Sequence, residues 1–296
     1  MADGVSGRIL SGIGGFYYVE TASGVVECRA RGTFRRQGLS PLAGDFVRIS
    51  LQGEGQGTVE EIVPRRNALI RPPVANLDLL VVVVSIVEPS PSTLVIDKLV
   101  AIAENKGIEP VVVINKSDLE DTRPLEEIYE KTGLPLFVVS AAARQGITPL
   151  REKLNGKVCA FTGNSGVGKS SLLNALDARL QLPTAQISQK LGRGRHTTRT
   201  SVLYPQPGGG YVVDTPGFSS LDFERLEWIP KEDLAHCFRE FAPYIGHCKF
   251  TSCAHGKEAG CAVKAAVEQG VIARSRYESY LTMWEEVKDK KAWENR

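Results

Sequence analysis

The stretch Gly163-Asn164-Ser165-Gly166-Val167-Gly168-Lys169-Ser170 constrains this 296-residue chain more than any other. It satisfies G-x-x-x-x-G-K-[ST] at each fixed position, and it has the context that the motif needs. The apolar run 158–161 reads as a strand before it, and residues 169–180 read as a helix after it. Glycines let backbone N–H groups turn inward around phosphates, and the helix N-terminus adds partial positive charge. Lys169 is then placed to reach the β- and γ-phosphates and the Ser170 hydroxyl to ligate Mg²⁺, with Ser171 completing the nucleotide-binding set. A chain built around such a loop needs a mostly parallel sheet with helices on its faces.

The flanking sequence supplies one. Residues 77–87 form a continuous apolar run between prolines, the pattern of a strand buried on both faces. Helical spacing over 92–106, a strand at 111–114, a helix around 125–131, a strand at 136–139 and a helix near 148–154 follow. Beyond the loop, strands are expected near 202–204 and 211–213. The first 71 residues have a different grammar: short β-type runs at 8–10, 16–20, 25–29, 45–51 and 58–63, separated by glycine turns and without a helical pattern. Five such strands predict a small closed barrel, with the OB fold as leading candidate. From about residue 229 the pattern turns helical. The expected domains are therefore 1–71, 72–228 and 229–296.

Asn115-Lys116-Ser117-Asp118 follows the 111–114 strand, at a carboxyl end of the sheet where ligands bind. An aspartate there can accept from the N1–H and 2-amino group of guanine. Adenine would leave the same carboxylate partly unpaired, and an unpaired buried group makes discrimination sharp. Lys116 would lie along the base, Asn115 would tie this loop to its neighbours, and Ser140-Ala141-Ala142 could offer a backbone N–H to the guanine O6. Asp214-Thr215-Pro216-Gly217 follows the 211–213 strand; Asp214 would hold Mg²⁺ through a water and the Gly217 N–H would meet the γ-phosphate. Between the two lies Gly192–Arg199, where Thr198, or else Thr197, would complete the Mg²⁺ shell.

These are GTPase motifs in rotated order, with base recognition preceding the phosphate loop. Residues Cys248, Cys253, His255 and Cys261 add three thiolates and one imidazole within fourteen positions, a soft tetrahedral set that suits one structural Zn²⁺. His247 and Cys237 are lower-ranked competitors; Cys28 and Cys159 read as small buried residues. An N-terminal barrel, a permuted P-loop core and a C-terminal cysteine–histidine cluster together resemble the RsgA family of ribosome-small-subunit-dependent GTPases, over essentially the whole chain. The resemblance implies an α/β fold with a circularly permuted GTPase core, an OB-type barrel and a helical zinc-binding domain. It also implies GTP hydrolysis to GDP and phosphate on the small ribosomal subunit late in assembly, with rRNA as partner.

In Ras-like enzymes a glutamine after the D-x-x-G glycine orients the attacking water. Here that position is Phe218, so the expectation moves to His196, where the resemblance also points. Its plain alternative is a loop histidine without a role. Along the helical segment 277–287, Tyr277, Tyr280, Leu281, Trp284 and Val287 share one face and read as packing. The 36 basic and 34 acidic residues leave a net charge of only +2, yet residues 179–199 hold five Lys/Arg and no acid, and Arg29, Arg31, Arg35 and Arg36 are equally one-sided. Local positive charge of this kind suits phosphate and RNA, although a solvated loop is the competing reading of the arginine run. The start of the chain lacks a basic and an apolar signal region, and run 77–87 is about half the length that a bilayer requires. A cytoplasmic, monomeric protein without a membrane partner is expected. The competing function is a GTP-dependent RNA-binding module whose hydrolysis is incidental; a small-molecule P-loop kinase is disfavoured by the guanine motif.

Overall fold

The computed structural model describes residues 4–36, 38–53, 55–70, 72–180, 201–214 and 228–290. The described residues of Met1–Leu79, Leu154–Phe161 and Lys190–Phe218 form one compact unit, and those of Leu80–Lys153, Thr162–Gln189 and Ser219–Arg296 form the other.

The first unit begins with β1 (Val5–Ile13), β2 (Phe16–Thr21), β3 (Gly24–Ala30), helix α1 (Gly32–Arg36), β4 (Phe46–Gly53) and β5 (Gln56–Ile62). β1, β2 and β3 pair in antiparallel succession, β3 runs parallel to β5, and β5 and β1 each pair antiparallel to β4. The sheet therefore closes on itself, and the five expected strands form the OB-type barrel. Period-2 alternation drives this: Ile9, Val19, Val26, Cys28, Val47, Ile49 and Val59 all point into one core. The sequence pattern predicts no helix here, but α1 turns Phe34 into that same core. Five residues are too few to show helical periodicity, so only burial reveals it.

Two short strands, β6 (Ala68–Leu69) and β7 (Val74–Ala75), form the exit from the barrel. There the Asn67 side chain bonds both the N–H and the carbonyl of Leu77 at 2.9 Å, and Arg65 pairs with the fully buried Asp45 at 2.7 Å.

The second unit holds β8 (Leu79–Ser85), helix α2 (Thr93–Asn105), β9 (Glu109–Asn115), helix α3 (Arg123–Glu130), β10 (Leu136–Val138) and helix α4 (Ile147–Leu154). β9 lies between β8 and β10, parallel to β10. All seven residues of β8 are buried, which accounts for its unbroken apolar run. Strand β11 (Val158–Thr162) leads through the glycine loop into helix α5 (Lys169–Leu176). That helix is shorter than the expected 169–180. Asp177 leaves the helical region at φ −143° and its carboxylate accepts the Arg179 N–H at 3.0 Å, which starts a separate 3₁₀ turn at Ala178–Leu180. In the first unit, β12 (Val202–Pro205) pairs antiparallel to β13 (Tyr211–Asp214), and β11 runs parallel to β13. No helix among the described residues is long and apolar enough to cross a membrane.

The C-terminal residues of the second unit are helical, with Ala262–Glu268 and Arg274–Val287 as the main segments. Tyr280 and Val287 pack inward as expected, joined by Met283 and by a residue that the apolar pattern did not mark. Arg276 is 1% exposed; it donates to Asp97 on α2 at 2.7 Å and to Glu240 at 2.7 Å, while Tyr129 on α3 donates to Asp97 at 2.9 Å. Burial opposes the Arg276 charge, but the two facing carboxylates outweigh it and raise its pKa. Removing one member strands the others without water. Arg276→Ala is expected to cost about 3–5 kcal/mol in denaturant unfolding, whereas replacing Arg276, Asp97 and Glu240 together by apolar residues should cost far less.

Candidate functional site

Three loops of the second unit, each following a strand, meet at one side chain. Asn115 ends β9 and is 1% exposed. Its Nδ2 donates to the Val167 carbonyl of the glycine loop at 2.9 Å, and its Oδ1 accepts the Ala141 N–H at 3.1 Å. The expected tie between the base-recognition loop and its neighbours is therefore a pair of buried hydrogen bonds that reaches both. Lys116 follows in the left-handed region at φ 64°, and its Nζ donates to the Glu88 carbonyl at 2.5 Å. Asp118 is exposed at the same loop. The buried Ser140 hydroxyl accepts the Ala143 N–H at 3.0 Å, and Ser140 and Gln145 close the loop that presents Ala141.

The glycine loop is shaped by contacts that exclude a Cβ. At Gly163, φ is +141° and a Cβ would stand 2.1 Å from the Val83 carbonyl oxygen. At Gly168, φ is +92° and a Cβ would stand 2.3 Å from Asn115 Nδ2, in the path of the bond to Val167. Gly168 also precedes the first turn of α5, so the loop ends on free N–H groups of a helix N-terminus. Lys169 folds back over it: Nζ donates to the Gly163 carbonyl at 2.6 Å and to the Asn164 carbonyl at 2.8 Å. Burial lowers its pKa to about 8. A half-buried ammonium held, among the described residues, by two neutral carbonyls is a ready partner for an anion. Ser165, Gly166, Ser170 and Ser171 belong to the same loop and helix start. The backbone of Asp214 ends β13 in the first unit. Thr197, Thr198, His196, Gly217 and Phe218 lie outside the described residues.

A second cluster brings together Cys248, Cys253, His255 and Cys261, with one ligand atom from each and all four within 4.8 Å of one another. His255 Nδ1 is 3.5 Å from both Cys248 Sγ and Cys261 Sγ. Burial lowers the His255 pKa, which favours the neutral imidazole that a metal requires. The loop is fastened from behind. Glu258 accepts the N–H groups of Ala254 and Gly256 at 3.0 and 2.8 Å, Tyr277 donates to the His255 carbonyl at 2.7 Å, and Tyr280 donates to the Ala254 carbonyl at 2.7 Å. Residue spacing singled out the four ligand candidates but not these clamps. The competing Cys237 is buried and donates to Asp233, and His247 is exposed; neither joins the cluster. Cys28 and Cys159 are fully buried, and burial pushes their thiols up to about 11 and about 12, as inert core residues.

Residues 62–224 match the family described as RsgA GTPase, and residues 6–59 match that described as RsgA N-terminal domain. A protein of Caldanaerobacter subterraneus subsp. tengcongensis, named small ribosomal subunit biogenesis GTPase RsgA, is 47% identical over 289 residues, 97% of either chain. A namesake from Moorella thermoacetica is 46% identical, covering 96% of this chain and 97% of its own. Among solved structures, YjeQ from Thermotoga maritima superimposes with a TM-score of 0.82 at 40% identity, over 97% of this chain and 99% of its own. YloQ, described as a circularly permuted GTPase, does so at 0.79 and 36%, over 98% of this chain and 97% of its own.

Proposed function

The chain belongs to the RsgA family of GTPases, and from that premise we propose that it acts on the small ribosomal subunit during late assembly, with the subunit stimulating its hydrolysis of GTP. Full-length similarity to relatives named for small-subunit biogenesis carries this reading. The preformed cradle around Asn115, Gly163 and Lys169 supports the nucleotide half of it. In this reading the domains are the barrel 1–71, the permuted GTPase 72–228 and the metal-bearing domain 229–296. The first and last grip rRNA, since OB folds and zinc knuckles are recurrent RNA-binding modules. The protein works as a cytoplasmic monomer.

Asp118, Lys116 and the Ala141 N–H recognise guanine, and Asn115 holds that loop against the phosphate loop. The N–H groups from Asn164 to Ser170 surround the phosphates. Lys169 gives up its two carbonyl partners for the β- and γ-phosphate oxygens, where its charge offsets that developing on the transferring group. The Ser170 and Thr198 hydroxyls and the Asp214 carboxylate, the last through a water, are hard oxygen donors of the kind Mg²⁺ takes, and the ion would supply further charge neutralisation on the phosphates. The Gly217 N–H meets the γ-phosphate, and His196 orients the attacking water. The compact Cys₃His set fits one structural Zn²⁺ with no open position.

Turnover should rise at least about tenfold when small subunits are added, and the stimulation should fall steeply between low and moderate salt as phosphate contacts are screened. His196→Ala should remove the stimulation and leave GTP affinity unchanged. Turnover indifferent to subunits would favour an RNA-binding module with incidental hydrolysis. The Lys169 pKa supplies a pH signature. With the free-state value near 8 and phosphates raising it in the complex, affinity is flat below pH 7 and declines above pH 8. The decline approaches about tenfold per pH unit. Calorimetric titration of GDP from pH 6.5 to 9 should show it, and Lys169→Arg, charged throughout, should flatten it. Purified protein should carry about one zinc, lost in Cys261→Ser together with proteolytic resistance of the 248–261 loop; zinc-free protein with an equally resistant loop would contradict the assignment.

A further inference from the structure

Strand β1 belongs to the barrel and also borders the strands that lead to the second nucleotide motif. Its Arg8 stands opposite Glu20 on β2 and Phe46 on β4. After a bulge between Ile9 and Ser11, Ser11 stands opposite Val202 on β12, and Val202 stands opposite Asp214 on β13. One rung thus runs Ser11–Val202–Asp214, from the barrel to the last residue of β13.

The other end of β13 is held by side chains. The Tyr211 hydroxyl donates to the Glu20 carboxylate, and the Tyr211 ring centroid lies 5.2 Å from Arg8 Cζ. Phe46 meets the same guanidinium at 4.2 Å, so Arg8 engages two aromatic faces while Glu20 accepts the phenol hydrogen bond. Arg8 and Tyr211 are half-buried, and burial lowers the Arg8 pKa and raises that of Tyr211. β13 is therefore fixed at Tyr211 by polar contacts to the barrel and at Asp214 by a backbone rung to it.

We propose that Glu20, Arg8 and Tyr211 form a positioning group for GTP hydrolysis, which sets β13 and through it the place of Asp214. The inference rests on the reading of Asp214 as the water-mediated Mg²⁺ partner. Three residues of strand span about 10 Å, a short rigid lever. Displacement of a reacting group by about 1 Å costs on the order of a hundredfold in rate, so even a partial loosening at Tyr211 would be felt. The barrel then supports the reaction as well as gripping RNA.

Tyr211→Phe keeps the ring over Arg8 and removes the donor to Glu20. It is expected to lower kcat roughly tenfold with GTP KM within about twofold, because the phosphate loop is untouched. The Mg²⁺ concentration that half-maximally slows release of a fluorescent GDP should rise severalfold. Amide exchange of residues 211–214 in nucleotide-free protein should quicken. Glu20→Leu should reproduce all three changes, and Glu20→Gln, which retains an acceptor, should keep the Mg²⁺ response. Unchanged kcat, Mg²⁺ response and exchange in Tyr211→Phe would overturn the proposal. So would a loss of kcat accompanied by an equal rise in KM and a fall in Tm, which would make the group a stabiliser of the fold. Asp214→Asn serves as the separate control: an unaltered Mg²⁺ response there would overturn the Asp214 assignment, whatever Tyr211→Phe does.

Discussion

The joining of the glycine loop to its neighbours depends on one buried carboxamide. Asn115 has a donor and an acceptor on a single rigid group, and it spends one on the glycine loop and the other on the loop after β10. An aspartate could not donate to Val167 and a leucine could do neither, so either replacement would leave a backbone group unpaired inside the protein. The bond exists only because residue 168 has no side chain, since a Cβ there would stand 2.3 Å from Asn115 Nδ2. The loop after β9, the loop after β10 and the glycine loop are thus joined through Asn115.

Permutation keeps this arrangement and changes what is attached to it. In chain order the base-recognition loop precedes the phosphate loop by nearly fifty residues, yet hydrogen bonds place the two side by side. In chain order the barrel comes before these loops and the Cys/His cluster after them. Within the first unit, the barrel's β1 also pairs with β12 at Ser11 and Val202. At the other end, the Arg276 cluster draws the C-terminal helix onto α2 and α3 through full charges withdrawn from water. Both attachments are directional, hydrogen-bonded and hard to slide, unlike an apolar contact of similar area.

The metal loop follows a different logic. Fourteen residues with few apolar side chains cannot build a core, so ligand atoms converge where a core would be. Glu258, Tyr277 and Tyr280 bind the loop's backbone and leave the four Cys/His side-chain atoms to converge on one another. Phe241 and Tyr280, with ring centroids 5.1 Å apart, supply the apolar support beneath.

Local chemistry was legible wherever spacing alone defines it. The glycine loop and its strand–helix setting, the Asn115–Asp118 motif, the four convergent metal donors and the five barrel strands all follow from residues close together in sequence, with periodicity fixing their faces. What could not be read were contacts made across long separations by side chains of unremarkable type. Arg276 looks like any surface arginine on a polar helix, and only the arrival of Asp97 and Glu240 from 179 and 36 residues away makes its burial possible. Tyr211 and Glu20 are 191 residues apart, and nothing near either marks them as partners. The early end of α5 and the five-residue α1 were hidden for a related reason: each is decided by one hydrogen bond or one buried ring, below the length at which a pattern can show. The sequence by itself determined the chemistry of the loops, because backbone conformation and ligand type are local properties. Tertiary structure alone decided which charges could be buried and which strands the barrel would hold, because desolvation is tolerated only where a distant partner completes the pairing.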